Sequence, residues 1–447
     1  MNIQSGNVLV PSTPKRLDEL QLPIVMMRDM LLKTIFRKNL DLVSDISNAI
    51  CLPRALTQEL VDIAREQRLC EATGTHSTFN GSEMSYQLTD AGKTLAQDAL
   101  TQSEYFGAMP IPLNIYHEQV KRQSIRNTQI TRQQLISAMQ HLVLPDGLLD
   151  QLGPAVASGR SILMYGPAGN GKSSISRGIR DAIGGMVYVP RAIEYAGQVI
   201  TVYDPVVHST VEEDERGDGI LRHVNRFDER YVKCKRPTVI TGGELSLNML
   251  DLVYDPTTRT YQAPLQLKCT GGIFIIDDLG RQVETPQSLI NRWILPLEEN
   301  RDVLTLPTGE KLEVPFDTLV IFSTNFHPNK ILDQAALRRI FFKIEIESPS
   351  QNDFLEVFVR FAKQKDLPLD EKTLLHLLNN KYPKIGNVYA NYQPIFLVDQ
   401  IISICEFEGI ALQMTPGLID RAWANMFVKD HDTDKGGVMP HERVTSS

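Results

Sequence analysis

No apolar run in the 447 residues reaches the about 18 residues that crossing a bilayer requires. The opening MNIQSGNVLVPSTPK is too polar for a secretory leader. Cysteine is scarce: the five residues at 51, 70, 234, 269 and 405 are odd in number and form no C-x-x-C pair. That excludes a disulfide framework and a thiolate zinc site, and leaves reduced core residues of a cytoplasmic protein. An excess of positive charge is missing too. The formal net charge of -8 argues against a general affinity for nucleic acid or for an anionic membrane. A calcium loop is lacking: in DHDTDKGGVMPHE, Lys435 stands where the turn glycine belongs and His441 where the bidentate Glu belongs. What remains is the composition of a soluble globular chain, 42% hydrophobic and 22% charged, with length for about two to four domains.

The chemistry starts at Gly166-Pro167-Ala168-Gly169-Asn170-Gly171-Lys172-Ser173, followed by Ser174. This fits G-x-x-x-x-G-K-[ST], with the apolar strand 162–165 before it and a helix-compatible run, 174–183, after it. The glycines let successive backbone N–H groups converge on a phosphate, and the helix N-terminus adds partial positive charge. Lys172 is expected to reach the β- and γ-phosphates of ATP, and the Ser173 hydroxyl to hold Mg²⁺.

A second landmark is Gly271-Gly-Ile-Phe-Ile-Ile-Asp277-Asp278. Four apolar residues make a central parallel strand whose C-terminal end presents two carboxylates, where α/β sheets bind ligands. Asp277 suits the Mg²⁺ shell and Asp278 the polarisation of attacking water. Glu244, on the loop after the strand 238–241, is an alternative acid. A third landmark is the strand 319–324, tipped by Asn325, whose amide can orient the same water. Arg338 and Arg339 end a short helix before a further strand, 342–346. An arginine there aims poorly at its own nucleotide but well at a neighbour's, as a finger acting in trans. Arg339 is the preferred residue and Arg338 the runner-up, since neighbours on a helix point about 100° apart.

Upstream, helical patterns at 25–36, 43–50 and 54–67, strands near 69–72 and 84–88, and a helix from Thr89 follow one another. That order resembles a winged helix. Residues 15–104 hold ten Lys/Arg against thirteen Asp/Glu, so DNA binding is possible but disfavoured against a protein-docking role. Residues 105–130, with two prolines and three aromatics, read as a connector docked on a surface. His208, without nearby Cys or His, reads as structural, and the acidic run 212–215 as a solvated loop.

Phosphate loop, acidic strand end, polar strand end and paired arginines, in this order, resemble the AAA+ ATPases over about residues 131–430. GGELSLNMLDLVYDP, the YQAPLQLKCTGGIFIIDDLGRQ block and the YFGAMPIPL connector look like a bacterial group described as predicted ATPases with chaperone activity. A hairpin expected from 303–306 and 311–314 is similar to the pre-sensor hairpin of the MoxR-like branch. No GAFTGA-type loop is present, which argues against a sigma-54 activator. Two positions depart from the pattern. Asp278 replaces the usual Glu, and 392–399, where a lid sensor arginine is usual, has none, leaving Arg421 as the nearest.

The resemblance implies an α/β protein: a P-loop AAA+ parallel sheet with a helical lid, preceded by a small winged-helix α+β domain. The expected divisions are an arm 1–20, the winged helix 21–104, the connector 105–130, the nucleotide domain 131–346, the lid 347–430 and a disordered tail 431–447. It also implies an Mg²⁺-dependent ATPase that remodels a protein or complex as a homo-oligomeric ring, hexameric by preference, away from membranes. The alternatives are a DNA-linked regulator or loader, and an ATP-binding switch with little hydrolysis.

Overall fold

The computed structural model describes residues 10–78, 81–211, 227–306 and 308–427. The acidic run 212–215, the first residues of the arm and the tail 431–447 lie outside these.

Five strands form the central parallel sheet: β1 Ile162–Tyr165, β2 Thr238–Thr241, β3 Ile273–Ile276, β4 Leu319–Thr324 and β5 Phe342–Glu345. They lie in the order β5-β1-β4-β3-β2, all parallel. β3 and β4 are buried along their whole length, which is why each reads as an unbroken apolar run. Side chains alternate between the two faces. Ile162, Met164, Ile273, Ile275, Leu319 and Ile321 pack against Ile175, Ile179 and Leu152. Leu163, Phe274, Ile276, Val320 and Phe322 pack on the other side against Leu289, Ile290 and Trp293. The chain enters at β1, crosses to the β2 edge, works back through β3 and β4, then passes β1 to reach β5. The reversal beside β1 opens a crevice at the strands' C-terminal ends. The fold is α/β, as expected.

The hairpin before β4 pairs Arg301–Thr305 with Lys311–Pro315, Arg301 opposite Pro315. A four-helix lid follows β5: Gln351–Gln364, Glu371–Asn380, Tyr392–Glu408 and Pro416–Ala424. It is built on Phe354, Phe358, Leu377, Tyr382, Leu397 and Ile401, each fully buried.

At the N-terminal end, helices Ile24–Lys38, Val43–Ile50 and Arg54–Glu66 precede an antiparallel hairpin, Cys70–Thr78 with Gly81–Leu88, and a closing helix, Asp90–Gln102. The corner between the second and third helices is tight because Cys51 sits at φ 57 and Pro53 caps the next helix. Gly92 is dictated by space: a Cβ there would lie 2.0 Å from the Leu69 carbonyl oxygen.

The connector has more regular structure than its sequence announced. Residues 105–130 contain a strand, Ile111–Pro112, and a helix, Leu113–Arg122. The strand completes a second five-stranded sheet with Ala192–Tyr195, Gln198–Thr201, Thr260–Gln262 and Val253–Asp255. Ile111, Tyr116 and Val120 are core residues of that body, beside Val187, Val189 and Tyr231. The two prolines and three aromatics suggested a segment docked on a surface. Pro112 ends the strand and is the N-cap of the helix that follows. The segment holds the N-terminal domain close: Met109 N–H donates to Ile50 O at 2.8 Å, and Glu104 N–H to Thr258 O at 2.8 Å.

Candidate functional site

The phosphate loop joins β1 to helix Lys172–Ile183. Gly166, Gly169 and Gly171 have φ of 140°, 79° and 87°, values that side chains disfavour. Two of them are also required by space. A Cβ on Gly166 would lie 2.2 Å from Ile346 O, and one on Gly169 2.3 Å from the Tyr392 ring. Lys172 is almost wholly buried and curls over the loop, donating to Gly166 O at 2.8 Å and Pro167 O at 2.9 Å. Burial pulls its pKa below the ordinary value, and Asp278 and then Asp277 act against that.

Ser173 Oγ donates to Asp277 Oδ2 at 2.6 Å. The sequence separates these residues by a whole crossover, and the parallel sheet brings them together. A hydroxyl and a carboxylate are the hard oxygen donors that Mg²⁺ takes alongside phosphates, so the pair fits that ion. Asp278 stands beside them at φ 51°, and its Oδ1 accepts from Asn325 Nδ2 at 2.8 Å. Asp277, Asp278, Asn325, Lys172 and Ser173 all line one cavity of about 520 Å³, a size that suits a small ligand. Ala168, Asn170 and Ser174 line it too. Asn170 Oδ1 and Ser323 Oγ, both on cavity-lining residues, are buried with no partner among the described residues. A ligand hydroxyl or a bound water would satisfy them.

A helical lid was expected, but not which of its residues would form the opposite wall. Helix Gln351–Gln364 presents Val357, Arg360, Phe361 and Gln364 at helical spacing, and faces the 141–145 loop. Arg360 Nη1 donates to Gln140 O at 3.2 Å and Leu142 O at 3.4 Å, so the lid carries a cavity arginine on its first helix. Tyr392 closes the far side, its N–H donating to Gly169 O at 3.0 Å. The amphipathic spacing of 357, 361 and 364 was the available signal.

Other candidates lie apart. Glu244 is exposed and does not line the cavity. Its carboxylate accepts from Gly242 N–H at 2.9 Å, and that bond holds its pKa below the usual range. Arg421 pairs with Glu408 at 2.6 Å, also off the cavity. Arg339 is half-buried, 3.0 Å from Glu298, and donates to Ala335 O at 2.6 Å. Arg338 is exposed, and neither arginine reaches the chain's own cavity. His208 is buried, its Nε2 2.8 Å from Lys268 O and its ring stacked on Tyr203, consistent with a structural role.

A parallel α/β sheet, a glycine loop opening a helix at its first strand and a helical cover define a phosphate-loop fold. The lid also matches a family model described as a domain of unknown function, DUF8689, over residues 350–425. No curated protein matches the chain. Among solved structures it is similar to NtrX from Brucella abortus in complex with ADP, at 12% identity and TM-score 0.40, over 67% of this chain and 59% of that one. The match thus spans less than two thirds of NtrX. It is also similar to the Thermotoga maritima RuvB Holliday junction branch migration motor, at 13% identity and TM-score 0.35, over 70% of this chain and 76% of that one.

Proposed function

We propose that the chain is an AAA+ ATPase that couples Mg²⁺-dependent hydrolysis of ATP to remodelling of a protein or macromolecular complex. The observation that carries this reading is the convergence of two polar pairs, Ser173–Asp277 and Asp278–Asn325, beside Lys172 at one end of a single sheet. Loop N–H groups and Lys172 cradle the phosphates. Ser173 and Asp277 would hold Mg²⁺, which neutralises charge on the β- and γ-phosphates when bound. Asp278 takes the proton of the attacking water, and Asn325 steadies the carboxylate that does so. Asp is one methylene shorter than Glu, and the φ of 51° at Asp278 supports a carboxylate carried forward by the backbone instead. Apolar Val357 and Phe361 offer a surface for the adenine.

The remaining parts of the reading concern assembly. The chain works as a cytoplasmic homo-oligomeric ring, hexameric by preference, with each site completed by a neighbour's arginine. The pairing of Arg339 to Glu298 and the exposure of Arg338 turn the preference between them toward Arg338. The N-terminal domain acts as a winged helix that docks the partner; its exposed third-helix face mixes Arg54 and Arg65 with Glu59 and Glu66, which favours protein over DNA. The test mixes Lys172→Ala with Arg338→Ala, and separately with Arg339→Ala, under subunit exchange. Recovered ATPase activity in one mixture identifies the finger. No recovery in either, from demonstrably mixed assemblies, defeats the trans site. A wild-type chain that binds ATP without turning it over would make it a switch.

A further inference from the structure

Downstream of the acid pair the chain runs Leu279-Gly-Arg-Gln282, and the side chain of Gln282 turns back under the site. Its Nε2 donates to Gly242 O at 3.1 Å, Asp277 O at 3.2 Å and Asp278 O at 3.3 Å. Its Oε1 accepts from Gly280 N–H at 2.8 Å. One half-buried amide thus gathers the carbonyls of both acidic residues and that of the loop after β2. This matters because Asp278 sits at φ 51°, a conformation with a cost for any residue with a Cβ, so something must hold it there. The backbone supplies part of the hold: Leu279 N–H donates to Ser323 O at 2.7 Å and Arg281 N–H to Asp278 O at 3.0 Å. The Gln282 side chain ties that turn to Gly242. The neighbouring Glu244 takes the Gly242 N–H at 2.9 Å, so Gln282 and Glu244 grip the same glycine from its two polar ends.

We propose that Gln282 is a positioning residue for Asp278, and that it couples the loop 242–246, exposed at Gly243 and Glu244 and anchored by the buried Leu245, to the water-polarising carboxylate. A partner that displaces this loop then shifts Asp278 relative to Asn325 and changes the rate of hydrolysis without touching the nucleotide. The inference rests on the ATPase reading above. It also gives a role to Glu244, which stands off the cavity and steadies the loop end of the coupling.

The test uses the full chain, comparing wild type with Asp278→Asn, Gln282→Ala, Gln282→Glu, Glu244→Gln and the double variant Gln282→Ala/Glu244→Gln. Turnover is measured beside affinity for a non-hydrolysable ATP analogue. Gln282→Ala is expected to lower kcat about 10- to 100-fold, the scale of a catalytic group moved by an ångström. Its analogue affinity should stay within about twofold of wild type, since only the transition state loses a contact. Gln282→Glu keeps the size but turns a carboxylate toward three carbonyls, and should lose at least as much. Glu244→Gln should cost less in the Gln282→Ala background than alone, because the shared glycine is already released. Wild-type turnover in Gln282→Ala, with Asp278→Asn slow, would overturn the positioning role and leave the ATPase reading standing. So would additive effects in the double variant, or affinity falling in step with kcat. Equal turnover in wild type and Asp278→Asn would instead remove the assignment of Asp278, and the coupling with it.

Discussion

On one wall of the cavity stand Lys172, Ser173, Asp277, Asp278 and Asn325; on the other stand the lid residues Val357, Phe361 and Ile395. The first wall is polar and written in fixed residue types at fixed places, as the proposed function requires: phosphate, a divalent cation and an attacking water each need a particular donor or acceptor. The second, Arg360 and Gln364 apart, offers mainly apolar surface and shape, which many sequences provide. The difference teaches that a wall of converging polar groups is written in motifs, whereas a largely apolar wall is written in packing. Tyr392 is where the two meet, bonded to Gly169 O and seated on Gly169.

The contrast breaks first, if it is wrong, at Asp278. Asp278→Asn should slow turnover by roughly 10²-fold, the scale of a lost general base, with ATP affinity unchanged. Steady-state kinetics and calorimetry together check it, and an unaltered kcat would take the chemistry off this wall. Next comes Lys172→Ala, which should weaken ATP binding by about 1.5–3 kcal/mol, the worth of a charge-assisted hydrogen bond. Calorimetry on the folded variant measures this, and retained affinity would move the phosphates elsewhere.

The joint between the walls is tested by Gly169→Ala. The added methyl must occupy space held by the Tyr392 ring, and the residue must keep φ 79°. The lid should lift from the loop, so that amide exchange at Tyr392 quickens and ATP binds about tenfold more weakly, a loss in the usual range for strained glycine sites. Unchanged exchange would mean that the ring gives way at no cost. The smallest effect belongs to the lid wall. Phe361→Ala should raise the dissociation constant of ATP about three- to tenfold and leave kcat nearly as it was, the pattern of lost uniform binding. A collapse of kcat instead would erase the distinction between the walls.

The same distinction explains what could be read from residue order. β1, β3 and β4 were legible because strands buried on both faces need apolar residues at every position. Asn325 was legible as a polar residue at the tip of such a strand. Gln282 was not, because its bonds go to backbone carbonyls, which leave no pattern in side-chain types. Arg360 was missed for a similar reason: both of its loop acceptors are carbonyls. The segment around Ile111 and Pro112 was legible as docked on a surface, but its strand and helix were not. Prolines 110 and 112 masked the two elements, although Tyr116 and Val120 have the spacing of a buried helix face. The second sheet, made of strands as short as Ile111–Pro112 and Val253–Asp255, offers too few residues per strand for any periodicity to stand out.

The strand at Ile111–Pro112 has one further effect, and it is mechanical. Because the chain leaves the N-terminal domain and enters a sheet within a few residues, with Met109 already bonded back to Ile50, there is no slack to absorb movement. Motion of the second sheet would turn the N-terminal domain as a crank turns its handle. A loose tether between the two would leave their orientations independent.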